Sequence, residues 1–219
     1  MLMKDVAMKV FSSAADLWIN LRCLLEDQAG ISSFIWVYWG EVDHFGHFYG
    51  PDDERTAAEF SIFSEAMRSL FLNRLSAAAR KDTLLILTAD HGLITTPFDR
   101  KFDLRFHPDL NRCLHLLPTG ENRLAYLYVR PGQIDPVKEY LERAWPNQFD
   151  VLDAEHAVGS GLLGIGEQHP RLLERVGDLM VIAKGSAYLW WAEKENRMIG
   201  RHGGLHPEEM LVPLLAARL

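Results

Sequence analysis

The chain has 219 residues, room for one large domain or a domain with a small appendage, and its 48% hydrophobic and 24% charged content is that of a globular protein rather than a disordered one. A formal net charge of −7 argues against the concentrated basic face that phosphate-backbone binding needs, so no nucleic-acid partner is expected. The longest strongly apolar run, Phe34 to Trp39, is far too short to cross a bilayer, and the N-terminal residues show no charged segment followed by an apolar one. No membrane association is expected. Cys23 and Cys113 have no paired spacing and read as free thiols, which makes a reducing cytoplasm the expected location.

In chain order, residues 13–27 carry Leu17, Ile19, Leu21, Leu24 and Leu25 among polar residues, which predicts a first helix leading to a strand at 33–39. After Gly50-Pro51, residues 54–79 predict a long helix with Phe60, Phe63, Met67, Leu70, Phe71 and Leu75 on one face. The apolar run Leu84 to Leu87 predicts a second strand. Strand, helix, strand with two continuously apolar strands implies a parallel βαβ unit covered on both faces. Residues 95–111, rich in Pro, Asp, Arg and Phe, read as a covering loop. Residues 122–130 alternate as a strand, and Asp135-Pro136 opens a helix with Ile134, Val137, Leu141 and Ala144 on one face. The stretch 113–160 reads as a small α+β insertion, Gly159 to Gly166 as a turn, and Asp178–Ala183, Ala187–Trp191 and Leu211–Ala216 as strands.

Two clusters stand 47 residues apart, Asp43-His44-Phe45-Gly46-His47 and Thr88-Ala89-Asp90-His91-Gly92, each following a β-prone apolar run. Asp43 and His47 face the same side of a helical turn, and a carboxylate with an imidazole suits zinc. Asp90 and His91 would lie at the end of a strand, where open α/β sheets place their sites. The competing reading is an Asx turn beside a surface His. A third element, Arg201-His202-Gly203-Gly204-Leu205-His206, offers His202, with His206 as a rival ligand. His44 is expected exposed or behind the ligands, and Arg105, His107 and Arg112 in a solvated loop. Trp190-Trp191 is expected to pack an edge strand, and Glu208 and Glu209 to cap or solvate a short helix. Arg123 follows a turn and could reach the site.

The segment Tyr38 to Pro51, with Leu87 to Gly92 and Arg201 to Gly204, resembles the metal-binding motifs of the type I phosphodiesterase/nucleotide pyrophosphatase branch of the alkaline phosphatase superfamily. The resemblance implies an α/β fold, a mixed, mostly parallel sheet sandwiched by helices, and a two-metal phosphohydrolase acting on small phosphate esters. It implies that Asp43, His47 and His202 hold one metal and Asp90 and His91 the other, with zinc first and manganese or iron as alternatives. In the family a further Asp and a Ser or Thr nucleophile lie well before the first motif. Only 42 residues precede Asp43, and Ser12, Ser13, Ser32 and Ser33 lack the expected setting. The nucleophile is therefore unassigned, and the whole chain resembles the C-terminal part of a family member. It could work with an N-terminal half-enzyme or as a homo-oligomer; the alternatives are a metal-binding or interaction remnant without catalysis.

Overall fold

The computed structural model describes residues 6–219. In chain order the elements are α1 (Ala14–Asp27), α2 (Glu41–Tyr49), α3 (Glu54–Ala66), α4 (Ala77–Arg80), β1 (Leu84–Thr88), β2 (Ile94–Thr95), α5 (Pro108–Arg112), β3 (Thr119–Glu121), β4 (Leu124–Leu127) and α6 (Ile134–Ala144). They continue with β5 (Phe149–Asp153), α7 (Ala154–Gly159), α8 (Leu172–Val176), β6 (Leu179–Ala183), β7 (Gly200–Arg201), α9 (Pro207–Met210) and β8 (Leu214–Arg218). The architecture is mixed α/β, and the chain divides into two units. One holds the residues up to Val42, Glu54–Thr88 and Pro213–Leu219; the other holds Asp43–Asp53 and Ala89–Val212.

In the first unit, Ser13 caps α1 by accepting the Asp16 N–H at 3.2 Å, the boundary expected from the sequence. Leu17 and Trp18 join Phe63, Phe71, Leu75 and Ala79 in a buried cluster. The helix expected over 54–79 is not continuous. After α3 the chain widens into a π-helical turn at Met67–Phe71, tightens to a 3-10 turn at Leu72–Arg74 and becomes extended at Leu75. The stripe Phe63, Met67, Phe71, Leu75 repeats every four residues, which drifts about 40° per step on a straight α-helix. A wider turn keeps Phe63 and Phe71 on one core. Ser76 then caps α4, with its own N–H and hydroxyl held by the Glu26 carboxylate at 2.7 and 2.5 Å. Phe60, expected inside, is exposed.

The parallel βαβ unit is not what forms. Residues 32–40, expected to hold a strand, have no regular secondary structure and join no ladder among the described residues, while β1 pairs antiparallel with β8, Leu84 opposite Arg218 and Thr88 opposite Leu214. The last strand starts at Leu214 rather than Leu211 because Pro213 has no N–H to give a ladder. Alternation is intact: Val37, Trp39, Leu85 and Leu87 pack on the helical cluster. On the opposite face Phe34, Trp36 and Leu84 are 92%, 66% and 62% exposed.

In the second unit a four-stranded antiparallel sheet runs β3-β4-β6-β5. The α+β region expected over 113–160 is thus completed by β6, a strand buried at every position because it lies between β4 and β5. Val137 and Leu141 of α6 lie in its core beside Trp145, Leu127 and Leu179, as the helix's spacing requires. The expected loop 95–111 is instead packed structure, two 3-10 turns and α5 that bury Phe102, Leu104 and Leu110. Ala187 to Trp190 is buried in the same core, yet only Trp190 makes a bridge, to Asp103, so no strand forms there. These residues satisfy their backbone on side chains and turns, such as Asn122 Nδ2 on the Leu189 carbonyl at 2.7 Å.

Candidate metal centre

All five sequence-predicted ligands belong to the second unit. Asp43 and His47 stand one turn apart on α2, with His47 Nε2 3.3 Å from Asp43 Oδ1. The His47 backbone carbonyl accepts the Ile199 N–H at 2.7 Å, and its ring Nδ1 meets the Gly200 carbonyl at 2.9 Å. A carbonyl only accepts, so Nδ1 carries a proton, and in the neutral ring Nε2 offers its lone pair on the side of Asp43.

The second and third motifs meet because β2 and β7 pair antiparallel, Ile94 opposite Arg201 and Thr95 opposite Gly200. The turn before β2 then lies beside the turn after β7. His91 and His202 stack with ring centroids 3.6 Å apart, and His47 and His202 lie 5.1 Å apart. His202 Nε2 is 3.9 Å from Asp43 Oδ1. Asp43, His91 and His202 each offer one ligand atom, and those three atoms lie within 4.8 Å of one another. His91 converges with Asp43 and His202, while Asp90 lies 3.8 Å from His91 Nε2 with its side chain 62% exposed.

The donors suit a divalent cation. Asp43 Oδ1 is buried and accepts no hydrogen bond, an orphaned anionic atom of the kind a cation satisfies. Burial first, and then the neighbouring His91 charge, lowers the pKa of His202 against the pull of Asp43 and Asp90, so the ring is neutral and can ligate at neutral pH.

The segment that presents His202 is anchored by Arg201, which sequence reasoning left without a role. Its guanidinium is buried, donates to the Thr96 carbonyl and hydroxyl at 3.1 and 2.5 Å and to Asn196 Oδ1 at 2.5 Å, and lies 3.7 Å over the Tyr188 ring. Burial brings its pKa down to about 10.

Two more residues were missed or misread. Glu121, at the end of β3, leans on Gly203: a Cβ added there would sit 2.4 Å from Glu121 Cβ, and Gly203 is in the left-handed region at φ +94°. Burial raises its carboxyl pKa, opposed by the charges of His47 and His91 and assisted by Asp43, which puts it within electrostatic reach of the ligands. Glu209, expected to cap or solvate, is instead buried and paired with Arg123 at 2.8 Å, the side chains 1% and 0% exposed. An acid two residues after a helix-opening Pro reads as surface, and only the fold reveals its partner.

The remaining candidates have local duties. His44 is exposed beside Phe48, and His206 caps α9 by accepting the Glu208 N–H at 3.3 Å. Arg105 pairs with Asp103, Arg112 with Asp109, and His107 bridges the Tyr140 hydroxyl and the Lys101 carbonyl. Trp190 packs in the main core.

Comparison with known proteins places this α/β chain and its Asp/His cluster in a family. The family model for type I phosphodiesterase / nucleotide pyrophosphatase matches residues 5–205. Ectonucleotide pyrophosphatase/phosphodiesterase family member 5 of Homo sapiens is 25% identical over 168 residues, 76% of this chain and 33% of that protein. The bis(5'-adenosyl)-triphosphatase enpp4 of Xenopus laevis is 25% identical over 199 residues, 84% of this chain and 38% of that protein. Among solved structures, murine ectonucleotide pyrophosphatase / phosphodiesterase 5 superposes with a TM-score of 0.66 at 20% identity, covering 97% of this chain and 57% of that one. Alkaline phosphatase PafA does so with a TM-score of 0.56 at 18% identity, covering 90% and 43%. The structural likenesses establish the fold.

The chain belongs to the type I phosphodiesterase/nucleotide pyrophosphatase family. It spans 33% and 38% of the length of the curated relatives it matches.

Proposed function

We propose that this chain carries the metal centre of a phosphohydrolase that cleaves small phosphate esters or diesters, nucleotides among them. The observation that supports this most directly is the orphaned Asp43 Oδ1 facing His47 and His202. The reading takes two divalent ions, zinc first and manganese or iron as alternatives, held by Asp43, His47, Asp90, His91 and His202. Bound there, such ions supply Lewis-acid charge to the attacking and leaving oxygens of an in-line displacement. The chain's own contribution is to keep three imidazoles at one carboxylate, His202 unprotonated and His47 fixed through Gly200, and to set the Glu121 carboxyl against Gly203.

In this reading the nucleophile and a further carboxylate lie outside these 219 residues, and an N-terminal half-enzyme is one source of them. The exposed apolar side chains of Phe34, Trp36, Tyr38, Leu84 and Ile86 support such a partner, because exposed apolar patches mark interaction surfaces. Cys23 and Cys113 are free thiols, which supports a reducing, cytoplasmic setting. No helix among the described residues is long and apolar enough to cross a membrane.

The test is metal content per chain by elemental mass spectrometry on protein purified without chelator, beside hydrolysis of a chromogenic phosphodiester. About two metals with turnover carries the proposal for the chain alone. One metal without turnover directs it to the partnered form. No metal retained and none taken up on titration overturns it.

A further inference from the structure

Glu209 touches both histidine-bearing turns at once. Its backbone carbonyl accepts the Gly92 N–H at 2.8 Å, directly after His91, and its Oε1 accepts the Gly204 N–H at 2.9 Å, two residues after His202. The approach to the first turn is so close that a Cβ on Gly92 would lie 2.0 Å from the Glu208 carbonyl oxygen. The Glu209 carboxylate is in turn clamped by Arg123, Nε to Oε1 and Nη2 to Oε2, both at 2.8 Å. Arg123 spends its other donors on the backbone that follows β6, with Nη1 on the Gly185 carbonyl at 2.9 Å and on that of Ala187.

A fully buried ion pair is a poor way to gain stability, because desolvation offsets the attraction. What such a pair does provide is direction: a bidentate clamp fixes the carboxylate plane, and the plane fixes the Gly204 N–H. The clamp is anchored on the four-stranded sheet through β4, where Arg123 immediately precedes Leu124. The two turns therefore share one rigid support, although they are more than a hundred residues apart in sequence.

We propose that Glu209, held by Arg123, is a positioning residue that sets His91 and His202 relative to each other, so that disturbing it loosens both metal-ligating turns together. The reading of what those turns hold rests on the metal centre proposed above; the coupling itself rests on the hydrogen bonds.

The test uses the full chain, with cobalt(II) as a coloured probe ion, and compares wild type, Glu209→Gln and the double variant Arg123→Met/Glu209→Leu. Glu209→Gln leaves Arg123 buried without its charge partner and lowers apo stability. The double variant replaces the pair with apolar groups and is expected to regain that stability. Affinities are measured at equal distance below each protein's own melting midpoint. The expected result is cobalt binding weakened about 10–100-fold in both variants, the loss typical of residues that orient ligands. Affinity that recovers with stability in the double variant, or that is unchanged in both, overturns the proposal. If wild type binds cobalt no more tightly than Asp43→Asn, the metal-centre reading fails, and amide exchange in the double variant decides the coupling. Faster exchange at both Gly92 and Gly204 upholds it, and unchanged exchange at either overturns it.

Discussion

His47 Nδ1 lies 2.9 Å from the Gly200 carbonyl, and this one bond turns the opposite ring nitrogen to within 3.3 Å of Asp43. A histidine on α2 is thereby oriented by β7, the strand that carries His202 at its end. The ring orientation is set before any ligand arrives.

The ranking of the C-terminal histidines follows from this arrangement. His202→Ala is expected to abolish tight metal binding and His206→Ala to change it little, because His202 faces Asp43 while His206 caps α9. Zinc titration by competition with a chelating dye reads both; equal losses would show that the last motif is wrongly assigned.

The two aspartates are not equivalent either. Asp43 is partly buried with an unsatisfied oxygen, whereas Asp90 has a side chain 62% exposed. Asp43→Asn is expected to weaken metal binding about tenfold more than Asp90→Asn, on the scale of one lost charged ligand. Calorimetric titration of the two variants checks it, and a larger loss at Asp90 would contradict the geometry.

Glu121 supplies a pH-dependent prediction for the metal-free protein. Burial raises its folded pKa above the unfolded value, so the native state holds the proton longer and stability falls as pH rises from the unfolded through the folded pKa. Glu121→Gln removes that penalty. Its melting midpoint in chelator is expected to exceed wild type by about 1–3 °C at pH 7 and to match it at pH 4. A difference of the opposite sign at pH 7 would mean that the carboxylate is stabilised where it lies.

Asp103 behaves in the reverse sense. Burial raises its pKa, but the side-chain and backbone hydrogen bonds from Arg105 outweigh this and hold it below the usual carboxylate value. Its stabilisation is present above the unfolded pKa and is lost as pH falls through the folded one. Asp103→Asn is expected to cost about 1–3 kcal/mol at pH 7 and less in acid, read by urea unfolding at several pH values.

The elements that could be read in advance are those set by local pattern. α1 over the expected residues and α6 with Val137 and Leu141 inward follow from periodicity, whereas the all-apolar run of β1 gave no sign that one of its faces would be exposed. The break between α3 and α4 was written in a four-residue spacing that an α-helix cannot keep on one face, and it was missed because the same residues also satisfy a coarser helical pattern. The parallel pairing inferred for β1 was wrong because an apolar strand carries no sign of its neighbour's direction, and β8 supplied it from the far end of the chain.

By itself the sequence determined the residue types of the centre, the Asp43–His47 spacing that a helix converts into proximity, and the family. Tertiary structure decided which candidate ligands converge, bringing His91 against His202 through the pairing of β2 with β7. It also decided that Arg123 and Glu209, 86 positions apart, are buried partners rather than surface charges. The physical reason is range. Periodicity and capping act over a few residues, whereas the burial of a charge is settled by groups that arrive from elsewhere in the fold.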